Sequence, residues 1–182
     1  MRNIEILIGS PRRRGNTSLM ADMLVDGLNM DKCASNISFL YDYDIRPCED
    51  CRGCKKGEKV CILNDDMKRI YPKVESSDVL IIATPIYWYG PSAKTKLLLD
   101  RFRPYYANER LAGKHIAHFL PAGTGAPDCD LTMEMFRRFA EALQLEFLGS
   151  VTAKAYDIGE VRQDKNAMES VLKLAEQING SI

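Results

Sequence analysis

The sequence predicts an α/β domain built on a doubly wound parallel sheet, and three observations carry that prediction. Short apolar, strand-like runs alternate from end to end with stretches whose apolar residues recur at helical spacing. The strand-like runs are apolar on both faces, as expected where helices cover a sheet on both sides. The chain has 182 residues, 46% hydrophobic and 27% charged. That is enough for one domain with its own core, and no repeat, low-complexity tract or linker divides it, so residues 1–182 read as a single domain.

Each element has its own signal. Ile4–Ile8 is an apolar run closed by Gly9-Ser10-Pro11, and Met20, Met23, Leu24, Gly27 and Leu28 follow at helical spacing. Ile37–Tyr41 reads as a second strand. Met67, Ile70, Tyr71 and Val74 mark a helix with Asn64 or Asp65 as its N-cap. Val79–Ala83 is the clearest buried strand. Gly90-Pro91 is expected to open a helix carrying Ala93, Leu97, Leu98 and Arg101, with Pro91 in its first turn. Ile116–Leu120 and Phe147–Val151 are the fourth and fifth strands. Leu131, Met135, Phe136, Phe139 and Leu143 mark one further helix, and Met168, Val171, Leu172, Ala175 and Ile178 mark the last. Five strands and five helices are thus expected.

Charge and targeting signals narrow the function classes. The 25 basic and 25 acidic side chains cancel, so no global field favours nucleic acid or an anionic membrane. No apolar stretch approaches the roughly 18 residues of a membrane span, and "MRNIEILIGS" lacks the longer apolar region of a signal peptide. A cytosolic protein is expected, where thiols stay reduced.

In open sheets of this kind, ligands sit beyond the carboxyl ends of the strands, where strand order reverses. The loops after strands one to four are therefore the ones to read. "GSPRRRGNTS" (Gly9–Ser18) brings hydroxyls, an amide and backbone N–H groups to a helix N-terminus, an arrangement that takes anions. The simpler reading is an N-cap at Asn16 or Thr17. Gly9 and Gly15 are one residue too far apart for a nucleoside-triphosphate loop, and Asn16 stands where its lysine belongs. The dinucleotide G-x-G-x-x-G is missing too, so a phosphate monoester held mainly by neutral donors is expected. "TPIYWYGPSAK" (Thr84–Lys94) sets Tyr87, Trp88 and Tyr89 together just past the most buried strand. Three adjacent aromatics cannot all enter a core, so at least one is expected to line a planar ligand's pocket. "LPAGTGAPD" (Leu120–Asp128) offers small residues for close backbone approach. Together the three loops describe a flavin mononucleotide (FMN) site.

"CEDCRGCKKGEKVC" places Cys48, Cys51, Cys54 and Cys61 in a long loop at the spacing C-x2-C-x2-C-x6-C. The candidates are a disulfide knot, a zinc site, an iron–sulfur cluster and a thiol redox switch. A large core makes a disulfide knot needless, and zinc sites favour two separated C-x2-C pairs. Close C-x2-C-x2-C spacing recurs in iron–sulfur ligation. A cluster-free loop and a redox thiol pair stay open. Cys33, at a helix end, and Cys129, starting another helix, read as packing residues. His115 and His118 fall at i and i+3 of a strand and point to opposite faces, so they are not a metal pair.

The stretches "ILIGSPRRRGNTS", "TPIYWYGPSAKTKLLLDR" and "CEDCRGCKKGEKVCILNDDM" resemble the flavodoxin-fold NAD(P)H-dependent FMN reductase family, and most closely its iron–sulfur flavoprotein branch, from residue 2 to about residue 128. The resemblance implies a flavodoxin-like sheet of order 2-1-3-4-5 and a homodimer or homotetramer. It implies that Ser10, Arg12, Asn16, Thr17 and Ser18 hold the FMN phosphate. Pro85, Ile86, Tyr87 and Trp88 would border the ring, and Gly123, Thr124 and Gly125 would close its other edge. Cys48, Cys51, Cys54 and Cys61 would hold a [4Fe–4S] cluster. The function expected is an FMN-containing oxidoreductase that converts two-electron into one-electron transfer, with NAD(P)H as substrate and a small-molecule or ferredoxin-type carrier as partner. No side chain is assigned as a catalytic acid or base, because the flavin supplies the hydride chemistry. The alternatives are a cluster-free NAD(P)H-dependent reductase of FMN, quinones or azo compounds, and a flavin-binding electron carrier with no substrate of its own.

Overall fold

The structure is a computed structural model that describes residues 1–180. The chain runs β1 (Arg2–Ile8), α1 (Asn16–Gly27), β2 (Cys33–Phe39), α2 (Met67–Ser76), β3 (Val79–Ala83) and the two-residue strands β4 (Ile86–Tyr87) and β5 (Gly90–Pro91). It continues with α3 (Ala93–Asp100), α4 (Arg103–Asn108), β6 (His115–Ala122), α5 (Asp130–Ala142), β7 (Glu146–Lys154) and α6 (Lys165–Asn179). The long strands form one sheet, β2-β1-β3-β6-β7, with every pair parallel. Counted over the five long strands this is 2-1-3-4-5, the flavodoxin-like order. Among the described residues no helix is long and apolar enough to cross a membrane.

Alternation along the central strands explains why they read as continuous apolar runs. Ile4, Ile6 and Ile8 of β1, Val79 and Ile81 of β3 and Phe119 of β6 pack on one face against Met20 and Leu24 of α1 and Val171 and Ile178 of α6. Leu7, Leu80, Ile82 and Leu120 point the other way, onto Ile70, Val74, Leu98 and Phe136. Each strand thus feeds two cores, as a covered parallel sheet requires.

Several boundaries differ from the sequence expectation. β2 starts at Cys33 and ends at Phe39, so Cys33 opens a strand instead of closing a helix. The cap of α2 is Asp66. Asp65, one residue earlier, still accepts from the Met67 N–H at 3.1 Å, but the rest of its carboxylate is drawn inward by Arg101. Gly90-Pro91 is not the start of a helix: it pairs with Ile86–Tyr87 as a small antiparallel hairpin. The helix begins after Ser92, whose hydroxyl accepts from the Thr95 N–H at 3.3 Å. The helix expected to carry Arg101 ends there, and α4 follows after Phe102, so six α-helices are described where five were expected. β7 extends to Lys154, with a bulge opposite Ile116 and Ala117.

Gly9 sits where three elements meet. Its N–H donates to Ala83 O at 2.8 Å, and its carbonyl accepts from Ser92 Oγ at 2.5 Å. A Cβ at Gly9 would run into Thr95 Oγ1, so only glycine lets α3 start this close to the end of β1.

His118 is wholly buried, its ring stacked on Phe136 at 3.9 Å between centroids and tilted against Phe147. Nδ1 lies 3.3 Å from Ser150 Oγ, and among the described residues Nε2 has no partner. Burial pushes this imidazole down to about 3 from an ordinary 6.5. The folded protein therefore binds fewer protons than the unfolded chain between those values. The contribution is intact above about 6.5 and is lost as pH falls, at up to about 1.4 kcal/mol per pH unit. Chemical unfolding of wild type and His118→Phe between pH 7 and 5 should show the wild type losing stability faster on acidification; parallel curves would contradict this account.

Candidate functional site

Two pockets open on loops that follow the carboxyl ends of the strands. The larger is a cleft of about 750 Å³, within the range of small-molecule and cofactor sites. One wall is the turn after β1. Gly15, extended at φ −84° and ψ 176°, caps α1, so the helix begins at Asn16 and neither Asn16 nor Thr17 is the cap. The turn is fixed by its own hydrogen bonds: Arg12 N–H donates to Ser10 Oγ at 3.2 Å, and Arg12 O accepts from Gly15 N–H at 3.1 Å and Ser18 Oγ at 3.3 Å. The first intrahelical bond runs from Leu19 N–H to Gly15 O, so the N–H groups of Asn16, Thr17 and Ser18 precede it and face outward from the helix start.

Pro85, Ile86 and Tyr87 form the apolar wall, and Pro121, Ala122, Gly123 and Asp128 form the far edge. Of the residues expected from sequence, the cleft gathers Ser10, Arg12, Asn16, Thr17, Pro85, Ile86, Tyr87 and Gly123. Four do not line it. The Ser18 side chain is buried, with its hydroxyl on Arg12 O. Trp88 is 95% exposed at the hairpin tip. Thr124 donates its N–H to Asp128 at 3.0 Å, and Gly125 turns the chain at φ +80°.

The sequence reading missed the fourth wall, Ala155–Ile158, because it stopped at the loop after the fourth strand. The signal was there: "AYDIG" puts an aromatic and an aliphatic residue ahead of a glycine just past the fifth strand. Asn16 ties this wall to the first. Its Nδ2 donates to Asp157 O at 2.8 Å, while its Oδ1 accepts from the N–H groups of Gly159 at 2.9 Å and Val161 at 3.3 Å. The amide expected at a phosphate thus holds two loops together, leaving the backbone N–H for the cleft.

The hairpin tip is strained. Trp88 and Tyr89 both have left-handed backbones, φ +52° and +62°, as a two-residue turn of this hand demands. Asn-Gly would satisfy it cheaply; two aromatics do not, and such strain gathers at functional positions.

The second pocket is lined by all four clustered cysteines together with Arg101, Arg103 and Pro104. Its loop leaves the fold between two clasps: Asp66 N–H donates to Asp44 O at 3.1 Å, and Asp44 N–H donates to the Asp66 carboxylate at 2.8 Å. At its tip, Lys59 Nζ donates to Ala107 O at 2.9 Å, and Asn108 Nδ2 donates to Lys59 O at 3.0 Å, pinning the loop to α4. Behind the thiols lies a buried ion pair between Asp65 and Arg101, whose side chains are 0% and 1% exposed. Burial works to raise the Asp65 carboxyl, but the Arg101 fork and the N–H groups of Arg46 and Met67 hold it below the usual carboxylate range. Burial, and then the neighbouring Cys61, raise the Cys54 thiol. Cys129 lies apart, buried at the start of α5, its thiol pushed up to about 11 by burial, which keeps it unreactive.

Residues 2–153 match the family described as NADPH-dependent FMN reductase. The chain belongs to that family. It is similar to an iron-sulfur flavoprotein of Methanocaldococcus jannaschii, 34% identical over 106 residues, which cover 58% of this chain and 54% of that one. An iron-sulfur flavoprotein of Archaeoglobus fulgidus is 34% identical over 124 residues, 67% of this chain and 56% of the other. The chain thus spans about half the length of these curated relatives. Among solved structures, an FMN-dependent NADH-azoreductase of Bacillus anthracis in complex with FMN has a TM-score of 0.69 at 15% identity, covering 98% of this chain and 100% of that one, a likeness of fold.

In this FMN reductase fold the strained tip can be relieved. Trp88→Asn removes about 1 kcal/mol of left-handed backbone strain at a side chain that packs on almost nothing. The thermal midpoint should rise by about 2–4 °C in a scanning experiment, and a fall would show that Trp88 stabilises the chain through contacts of its own.

Proposed function

We propose that the protein is an FMN-dependent, NAD(P)H-linked oxidoreductase that also holds a [4Fe–4S] cluster and passes electrons between a two-electron donor and one-electron carriers. The observation that carries this reading is the pairing, on one sheet, of an anion-binding aromatic cleft with a second pocket lined by four thiols. Bound FMN supplies exchange of either a hydride or single electrons, and the cluster supplies one-electron exchange.

The residues of the cleft fit FMN. The phosphate would be held by the outward N–H groups of Asn16, Thr17 and Ser18, the hydroxyls of Ser10 and Thr17, and Arg12. Pro85, Ile86 and Tyr87 border the ring, and Gly123 lets the backbone come close at the other edge: a Cβ there would already stand 3.3 Å from the Tyr156 ring. Tyr156 and Ile158, both exposed and lining the cleft, would form a rim that keeps water from a seated ring. Assembly as a homodimer or homotetramer, with a small-molecule or ferredoxin-type carrier as redox partner, belongs to the same proposal.

The donor set of the second pocket fits a cluster: Cys48, Cys51, Cys54 and Cys61 would hold it, with two arginines against the thiols. A second reading, an FMN reductase of quinones or azo compounds without a cluster, has its own support. The thiol pocket holds only about 20 Å³ of free space, and among the described residues no three His, Cys, Asp or Glu side chains are gathered tightly enough for a metal ion.

Cys51→Ser separates the readings. Purified without oxygen, the variant should lose most of its iron while keeping FMN at the wild-type ratio per chain. Full retention of iron would remove Cys51 from the ligand set.

A further inference from the structure

We propose that Arg101 and Arg103 are positioning residues for the cysteine quartet, each presenting an N–H to one outer thiol and thereby raising the reduction potential of an iron–sulfur group held there. The inference rests on the cluster reading above. Neither arginine was singled out in the sequence as part of a site.

Arg101 ends α3 with its side chain 1% exposed. Asp65 holds its fork from one side, with Nη2 at 3.1 Å from Oδ1, and Nη1 also donates to Arg46 O at 2.8 Å. So constrained, Nη2 is directed at Cys61 Sγ, 3.4 Å away. Arg103, at the start of α4, repeats the arrangement at the other end of the motif. Its Nη1 lies 2.7 Å from Asp50 and makes a longer contact of 3.9 Å with Cys48 Sγ. The first and last cysteines therefore each face an arginine that is itself held by a carboxylate. Among the described residues no side chain donates in this way to Cys51 or Cys54.

Because Asp65 and Asp50 offset the two positive charges, little net charge reaches the pocket. What does reach it is a pair of oriented N–H dipoles. A donor aimed at a ligating sulfur draws electron density from it and favours the reduced, more negative form. The stiff fork of arginine holds that direction where a lysine would wander.

The test uses the intact protein purified without oxygen: wild type, Arg101→Lys, Arg103→Gln and Arg103→Lys. Iron, sulfide and FMN per chain and the thermal midpoint are measured first. The iron–sulfur signal is then titrated by spin resonance against potential. Arg101→Lys should shift the oxidised-to-reduced ratio at fixed potential at least tenfold toward oxidised, 59 mV for a one-electron couple. Because the Arg101 site is buried and its variant can fail to fold, the deciding variant is Arg103→Gln, whose arginine is 40% exposed. It should keep its iron, FMN and thermal midpoint, yet shift the ratio about threefold in the same direction, with Arg103→Lys recovering part of the shift and the flavin potential unmoved. Wild-type protein with iron, and an iron–sulfur potential unchanged in Arg103→Gln, would overturn the inference and leave the cluster reading standing. Wild-type protein without iron would overturn both.

Discussion

The buried pair of Arg101 and Asp65 is the constraint on which the architecture of the cysteine loop depends. A loop running from Asp44 to Asp66 has no core of its own, and its order has to come from fastenings. The pair provides the innermost one. Asp65 closes the loop onto the first turn of α2 and onto Arg46, while Arg101 carries that fastening to the end of α3. Breaking such a pair by removing one partner costs about 3–5 kcal/mol, because the other charge is left stranded away from water. The charge pair is thus weak evidence for overall stability and strong evidence for a defined geometry: it fixes where Cys61 ends and which way the fork points.

The cleft is organised on a different principle. There the sheet supplies the frame, and each wall is a loop leaving the carboxyl end of a strand. Gly9 allows the end of β1, the end of β3 and the start of α3 to touch, which brings the phosphate-type turn and the aromatic hairpin to one side. Asn16 then draws in the loop after β7. The hairpin tip is held in a left-handed turn by two aromatic residues that are poor choices for it, and that cost has a purpose only if something planar or another surface comes to rest there.

Much of the fold was legible in the sequence because hydrophobic period and strand burial agree. Val79–Ala83 reads as a buried strand and is one, to the residue. The failures have local physical causes. Gly90-Pro91 carries the signature of a helix start, but Thr84 Oγ1 accepts from the Ser92 N–H at 3.0 Å and draws the chain into a hairpin first. Trp88-Tyr89 lacks every usual sign of a two-residue turn, so no local rule announces it. Ser10, Thr17, Pro85 and Tyr87, which the resemblance named, do line the cleft, but the Asn16 side chain that it gave to a phosphate clasps two loops instead, because its amide chemistry suits either task equally. The role of Arg101 was hidden for a related reason. Within its helical stripe it reads as one more position at regular spacing, and only the fold shows that its partners, Asp65 and Cys61, lie 36 and 40 residues away in the chain.

In the function proposed, one sheet carries two redox sites, an FMN cleft and a four-thiol pocket. The most direct measurement is of FMN, iron and acid-labile sulfide per chain in protein purified without oxygen, with its absorption spectrum. One FMN with about four iron and four sulfide per chain is expected. FMN with four free thiols and no iron would contradict it and leave a simple flavin reductase.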